Sequence, residues 1–280
     1  MKATAVVRSE VARYGPPQEG QIVGFKNIMA EEQYRDQLVQ EFQDEANDVL
    51  SEFDLSLVKL SAPGAEVVSE FSRLFGAFSV LRLQGRFMEN PYLDIAFHRL
   101  CDYLEDLTTP SEKVFADLQF YSATLQDLLS GKNNASDVGA FARTLPVRTP
   151  ADLGNIVQVD VEIMLVEPNK TVSKLVSREL RACGYRVTTL RDPIEALTYA
   201  VRTTPDMIIA SAELPEISGI DLACAIEAMP VTHKIPFAVL TSRDRGHAAL
   251  ANLPTSTAVI KKGAKFGDDL ADALMQFGIT

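Results

Sequence analysis

Tryptophan is absent from this sequence, and cysteine and histidine are scarce, with three of each in 280 residues. Cys101, Cys183 and Cys224 are odd in number, fall inside helical patterns and show no paired spacing. Neither a disulfide framework nor a zinc site follows, and all three are expected to be small buried apolar residues. No apolar run approaches the roughly 20 residues a bilayer span requires, and the N-terminus lacks an apolar signal core. A cytoplasmic protein with no membrane span is expected. A Lys/Arg block is also missing, and the formal net charge is −11. Nucleic acid and anionic membrane surfaces are therefore poor partners, whereas protein partners or simple solubility suit an acidic surface. There is no Gly-rich phosphate loop, no metal-ligand cluster and no nucleophile with a base at useful spacing. The expectation is a protein that is not an enzyme, with no catalytic residues, no metal and no cofactor.

What is present is 46% apolar residues, enough in this length for two domains with their own cores. Residues 1–28 carry scattered Gly and Pro without a lasting period and are expected to form a disordered or loosely attached arm. Residues 29–131 hold four amphipathic stripes. The first runs from Glu31 to Leu60 through Leu38, Phe42, Ala46, Leu50, Phe53 and Leu57. The second spans Ala65–Phe87, with Val68, Phe71, Leu74, Phe75, Phe78 and Leu81 inward. The third, Pro91–Leu107, follows the cap signal Asn90-Pro91, and the fourth begins at Ser111-Glu112 and ends at Gly131. Short turns between such helices make an antiparallel bundle the economical solution. The Phe71, Phe75, Phe78 and Phe87 set could also serve as an aromatic docking stripe. Residues 132–159, rich in small and polar residues with Pro146 and Pro150, read as a linker tacked down by Phe141 and Leu145.

From residue 160 to 280 strands and helices alternate. Strands are expected at 162–166, 185–190, 207–210, 237–241 and 258–260, with a short or irregular helix near 246–250. This order implies a doubly wound, five-stranded parallel sheet whose ligands bind beyond the carboxyl ends of the strands.

Asp206 to Gly219 carries the most specific pattern, an apolar strand followed by a Leu-Pro-x-x-x-Gly loop. Together with Ile163-Met-Leu-Val166, Thr241 and Lys261 it resembles the receiver domains of two-component response regulators. In that family an aspartate four residues before the proline is phosphorylated; that position is Ser211 here. A serine hydroxyl without an adjacent base does not repeat the exchange of an acyl phosphate. The family's acidic pair, which holds magnesium, corresponds to Glu167 and Pro168. Thr241 corresponds to the switch hydroxyl and Lys261 to the phosphate-pairing lysine. Lys262 would replace the proline after that lysine, and Ala258 the aromatic switch residue three before it. Lys261 either maintains an anion pocket with Thr241 or pairs with Glu167. The resemblance also implies a docking or dimerisation face built from helix four, strand five and helix five.

The helical half in turn resembles histidine phosphotransfer bundles, through Phe42-Gln-Asp-Glu45-Ala46 and Leu104-Glu105-Asp106-Leu107. On that comparison the phosphorylated histidine is replaced by Ser79, and Arg82 keeps the positive charge three residues on. His98 is the only histidine of this half. It is either a relocated phosphoacceptor or a half-exposed residue beside the apolar stripe.

The leading expectation is a non-catalytic adaptor, binding histidine kinases, phosphotransfer proteins or response regulators without passing phosphate. Homodimerisation is a further partner expectation. The alternatives are an active phosphorelay protein using His98 or an atypical acceptor, and a receiver-like pocket that binds a small anion through Thr241 and Lys261.

Overall fold

A computed structural model of the chain describes residues 19–61, 66–105, 107–132, 137–148, 159–263 and 265–279. The first helix, α1 (Glu19–Leu60), starts within the stretch expected to be a loose arm, so that expectation is corrected for residues 19–28; residues 1–18 lie outside the described ones. Gly20 and Gly24 each weaken a helix by about 1 kcal/mol, but they sit on a helix already nucleated by its packed C-terminal half.

Four helices close the bundle: α1, α2 (Val67–Gly85), α3 (Pro91–Leu104) and α4 (Glu112–Leu129). α1 and α3 each pack against both α2 and α4. The expected stripes are buried from Phe42 onward in α1 and at Phe71, Leu74, Phe78 and Leu81 in α2, with Phe53 edge-on to Phe78 at 5.0 Å. Val68 and Leu38 are corrections, because both lie on the outer side of their helices. The aromatic set is mostly core, since Phe71 and Phe78 are buried and Phe75 half-buried; the side chain of Phe87 lies outside the described ones. Asn90 caps α3 by accepting hydrogen bonds from the Tyr92 and Leu93 amides, and Ser111 caps α4.

The segment expected to be a linker contains a helix, α5 (Val138–Thr144), wedged between α3 and a helix of the second half. Phe141 and Leu145 are buried there, and Tyr92 meets Phe141 edge-on at 5.4 Å.

The second half alternates β1 (Glu162–Val166), α6 (Lys170–Ala182), β2 (Arg186–Leu190), α7 (Pro193–Thr203), β3 (Met207–Ser211), α8 (Gly219–Ala228), β4 (Phe237–Thr241), β5 (Ala258–Lys261) and α9 (Phe266–Gln276). All pairings are parallel, in the order β2-β1-β3-β4-β5. β1, β3 and β4 are buried at every position, as their unbroken apolar runs require. Only a single 3₁₀ turn, Ala248–Leu250, stands between β4 and β5.

The two halves share a core. One buried cluster runs from Phe42 and Phe97 through Leu145 to Tyr199, Ala200, Val166 and Ile208; a second fills the opposite face of the sheet. Glu162, 3% exposed, ties the halves together. Its carboxylate lies 2.5 Å from the Arg99 guanidinium of α3 and accepts hydrogen bonds from Thr188 Oγ1 (2.7 Å) and Arg186 Nε (3.3 Å). Arg186 also donates to the Leu145 carbonyl at 2.8 Å. At the rim Asp102 accepts from both the amide and the hydroxyl of Thr189, Arg202 pairs with Asp94, and Arg82 pairs with Glu195.

Candidate functional site

The carboxyl ends of β1, β3, β4 and β5 converge on Ser211, the last residue of β3. Its side chain is set by the loop that follows. Gly219 opens α8 so close to β3 that an added Cβ would lie 2.1 Å from the Ser211 carbonyl oxygen. Ser218 and Asp221 form a reciprocal capping box that fixes the start of α8. The glycine of the Leu-Pro-x-x-x-Gly pattern therefore serves a close backbone approach.

Ser211 is 2% exposed, and Lys262 Nζ donates to its Oγ at 3.0 Å. The same ammonium donates to Glu167 Oε2 at 2.8 Å, while Glu167 Oε1 accepts from the Asn169 amide at 3.0 Å. Lys262, and not Lys261, is thus the lysine of this site, which corrects the expectation by one residue. Lys261 ends β5 in register with Thr241, and successive residues of a strand point to opposite faces. The ladder continues one step, with the Lys262 amide donating to the Thr241 carbonyl at 2.8 Å, and this step turns the Lys262 side chain inward. Lys261 points away and pairs with Asp244, whose exposed carboxyl it holds below the usual range. Counted from Lys262, the proline position is Gly263 and the aromatic position Val259.

Thr241 is buried and its hydroxyl accepts from the Arg243 amide at 3.2 Å. The other nearby carboxylate, Glu213, pairs with the Arg243 side chain at 3.0 Å. Pro168 is exposed and offers no ligand. Magnesium prefers an octahedral shell of oxygens that includes one or two carboxylates. Glu167 alone, already held by an ammonium, does not fit that demand, and among the described residues no three His, Cys, Asp or Glu side chains are grouped to hold a metal.

The helical half is built differently from expectation at His98. This residue is 3% exposed, not half-exposed, and packs on the Tyr199 ring at 5.3 Å. Helix α3 turns this face onto the second half, a packing its own apolar stripe does not announce. Both ring nitrogens are buried without hydrogen-bond partners, each 3.8 Å from a carboxylate oxygen, of Asp102 and Glu195. Burial, reinforced by Arg82, Arg99 and Arg86, holds its pKa well below the ordinary histidine value. His98 is inaccessible to a phosphodonor in this arrangement. Ser79 donates back to the Phe75 carbonyl at 2.7 Å and faces Cys101, 3.9 Å away. Arg82 is committed to Glu195. Of the cysteines only Cys101 is buried, with its thiol pushed up to about 11 by burial; Cys183 and Cys224 are exposed, which corrects the expectation for both.

A stripe of cations was missed. Lys170, Lys174, Arg178 and Arg181 recur at steps of four, four and three along α6, a helical spacing visible in the sequence although no contiguous basic block exists.

Among the described residues no helix is long and apolar enough to cross a membrane. Residues 163–264 match the family model of the response regulator receiver domain. The transcriptional regulatory protein PrrA of Mycobacterium leprae is 31% identical over 91 residues, 32% of this chain and 38% of that protein. The phosphate regulon transcriptional regulatory protein PhoB of Rhizobium meliloti is 31% identical over 94 residues, 34% of this chain and 41% of that protein. The polar-differentiation response regulator DivK of Brucella anthropi is 31% identical over 80 residues, 29% of this chain and 65% of that protein. The chain thus spans about two fifths of the length of the first two relatives and just under two thirds of the third. Among solved structures, the receiver domain of sensor histidine kinase PA1611 from Pseudomonas aeruginosa is 26% identical, with a TM-score of 0.39, covering 44% of this chain and 99% of that one. The C-terminal part of the chain is a receiver domain of the two-component type, preceded by a helical region.

Proposed function

We propose that the protein is a non-catalytic adaptor or regulator of a bacterial two-component pathway, recognising kinases, phosphotransfer proteins or other regulators without accepting phosphate itself. The observation that carries this reading is the Lys262 bridge, in which one ammonium joins Glu167 and Ser211. In a working receiver the lysine must meet a phosphoryl group. Here its charge is already answered by a buried carboxylate, and a hydroxyl stands where a nucleophilic carboxylate is needed. The same bridge argues against a small anion held by Thr241 and the site lysine, since binding would have to displace Glu167. The burial of His98 argues against its use as a relay residue.

The likeness of the helical half to phosphotransfer bundles supports partner recognition in the same pathway. Its Ser79 and committed Arg82 suit a bundle that does not transfer phosphate.

Incubation with acetyl phosphate and magnesium, and separately with a radiolabelled phosphorylated kinase, is expected to leave the intact mass unchanged and the protein unlabelled. Acquisition of one phosphoryl group, mapped to Ser211, Ser79 or His98, would overturn the reading.

A further inference from the structure

A second, chemically distinct cleft of about 240 Å³ lies where the C-terminus of α3 meets α6 and the end of β2. Among its described lining residues are six cations, Arg148, Lys170, Lys174, Arg178, Arg181 and Arg191, against two carboxylates, Asp102 and Glu105. This concentration stands out in a chain whose formal net charge is −11. Both carboxylates are engaged. Asp102 accepts from the Thr189 amide at 2.9 Å and its hydroxyl at 2.8 Å, and Glu105 pairs with Lys170 at 3.1 Å and Arg191 at 2.7 Å.

Two further observations point the same way. α6 has no acidic residue in its first turn and begins with Lys170, so the positive end of the helix dipole adds to the field there, beside Lys170, although it does not reach Arg181 in the last turn. Arg181 is the deepest of the group, and its buried Nε has no hydrogen-bond partner. Burial lowers its pKa, Asp102 opposes that, and Arg148 and Arg99 lower it further. A guanidinium crowded by like charge, with a buried donor unanswered, is costly unless an anion meets it. The hydroxyl of Ser173 lines the same space and adds a donor suited to an oxyanion oxygen, whereas Ser177 and Thr189 already donate to the Lys174 carbonyl and to Asp102.

We propose that this cleft is a binding site for a compact polyanion of the phosphate type, such as a pyrophosphate or a doubly charged phosphate ester. Its volume falls below the roughly 300 Å³ at which pockets for drug-sized ligands begin. A small, highly charged group therefore suits it better than a whole nucleotide. The ligand would touch both halves, through Arg181 and Arg191 on one side and Arg148 on the other, and so favour the docked arrangement. None of the lining residues belongs to the Ser211 site, so the inference stands or falls apart from the adaptor reading.

The test is thermal unfolding and calorimetric titration of the full chain with inorganic pyrophosphate, and with inorganic phosphate, each against sodium chloride of matched ionic strength. Pyrophosphate is expected to raise the melting temperature beyond the salt control and to bind more tightly than phosphate. Arg181→Gln should weaken the titration by roughly tenfold, as the loss of one charge-assisted contact does, while leaving the unliganded melting temperature equal or higher, because like-charge crowding is relieved. Arg191→Gln, at an exposed position, should weaken it without disturbing the fold. The absence of any shift beyond the salt control, or a shift in both variants as large as in the wild type, would overturn the proposal.

Discussion

Protonating His98 would add a positive charge to a buried position that already has Arg82, Arg86 and Arg99 nearby, with Asp102 and Glu195 as the facing carboxylates. The folded protein resists that proton, whereas the unfolded chain accepts it near the ordinary histidine value of about 6.5. Below that pH the unfolded state binds more protons, so this residue makes stability fall as pH drops through and below about 6.5. Melting temperature is expected to fall more between pH 7.5 and 5.5 in the wild type than in His98→Gln. Asp102, shifted upward by burial, is present in both proteins. Equal slopes would show that the ring is not held neutral. At this scale the sequence is a partial guide. Ser211 and Thr241 end β3 and β4 and Glu167 follows β1, places that the apolar runs and the Pro/Gly loop make legible. The lysine was misplaced by one because two lysines are adjacent and only strand alternation distinguishes them.

Elements were more legible than single side chains. Buried parallel strands announce themselves as apolar runs, and Asn90-Pro91 and Asp192-Pro193 mark helix starts at which both side chains cap. The start of α1 was not legible, because residues 19–28 include Gly20 and Gly24 and carry no lasting apolar period. The loop from Ser211 to α8 is the element on which the receiver site depends. Gly219→Ala would press a methyl group against the Ser211 carbonyl, where a Cβ has 2.1 Å of room, and against Ala212 Cα at 3.1 Å. A destabilisation of about 3 kcal/mol is expected from overpacking against backbone that cannot give. Denaturant unfolding measures it. Gly76→Ala is the control, since nothing lies within 4 Å of its added Cβ and a helix interior gains from alanine. A loss at Gly219 no larger than at Gly76 would mean that the loop can shift.

At the level of the whole molecule, the reading of two domains with separate cores misses how they meet. The contacts that join them pair Arg99 with Glu162 and Arg186 with the 142–145 carbonyls, across sequence gaps that no local period reveals. Burial opposes the charge on Arg99, yet Glu162 beside it more than offsets this and raises its pKa. The pair is held by charge more than by directed hydrogen bonds, since Nε, Nη1 and Nη2 of Arg99 all lack a hydrogen-bond partner. Replacing Arg99 by methionine keeps much of the volume but leaves the buried Glu162 with Arg186 as its remaining cation. Removing one partner of a buried pair costs about 3–5 kcal/mol. With one core cluster spanning both halves, the wild type is expected to unfold in one calorimetric transition. Arg99→Met should then lower that transition in both halves together, followed by near-ultraviolet signals from Tyr121 in the bundle and Tyr199 on α7. Two separate transitions in the wild type, or a loss confined to Tyr121, would show that the halves are stable alone and that the interface adds position without stability.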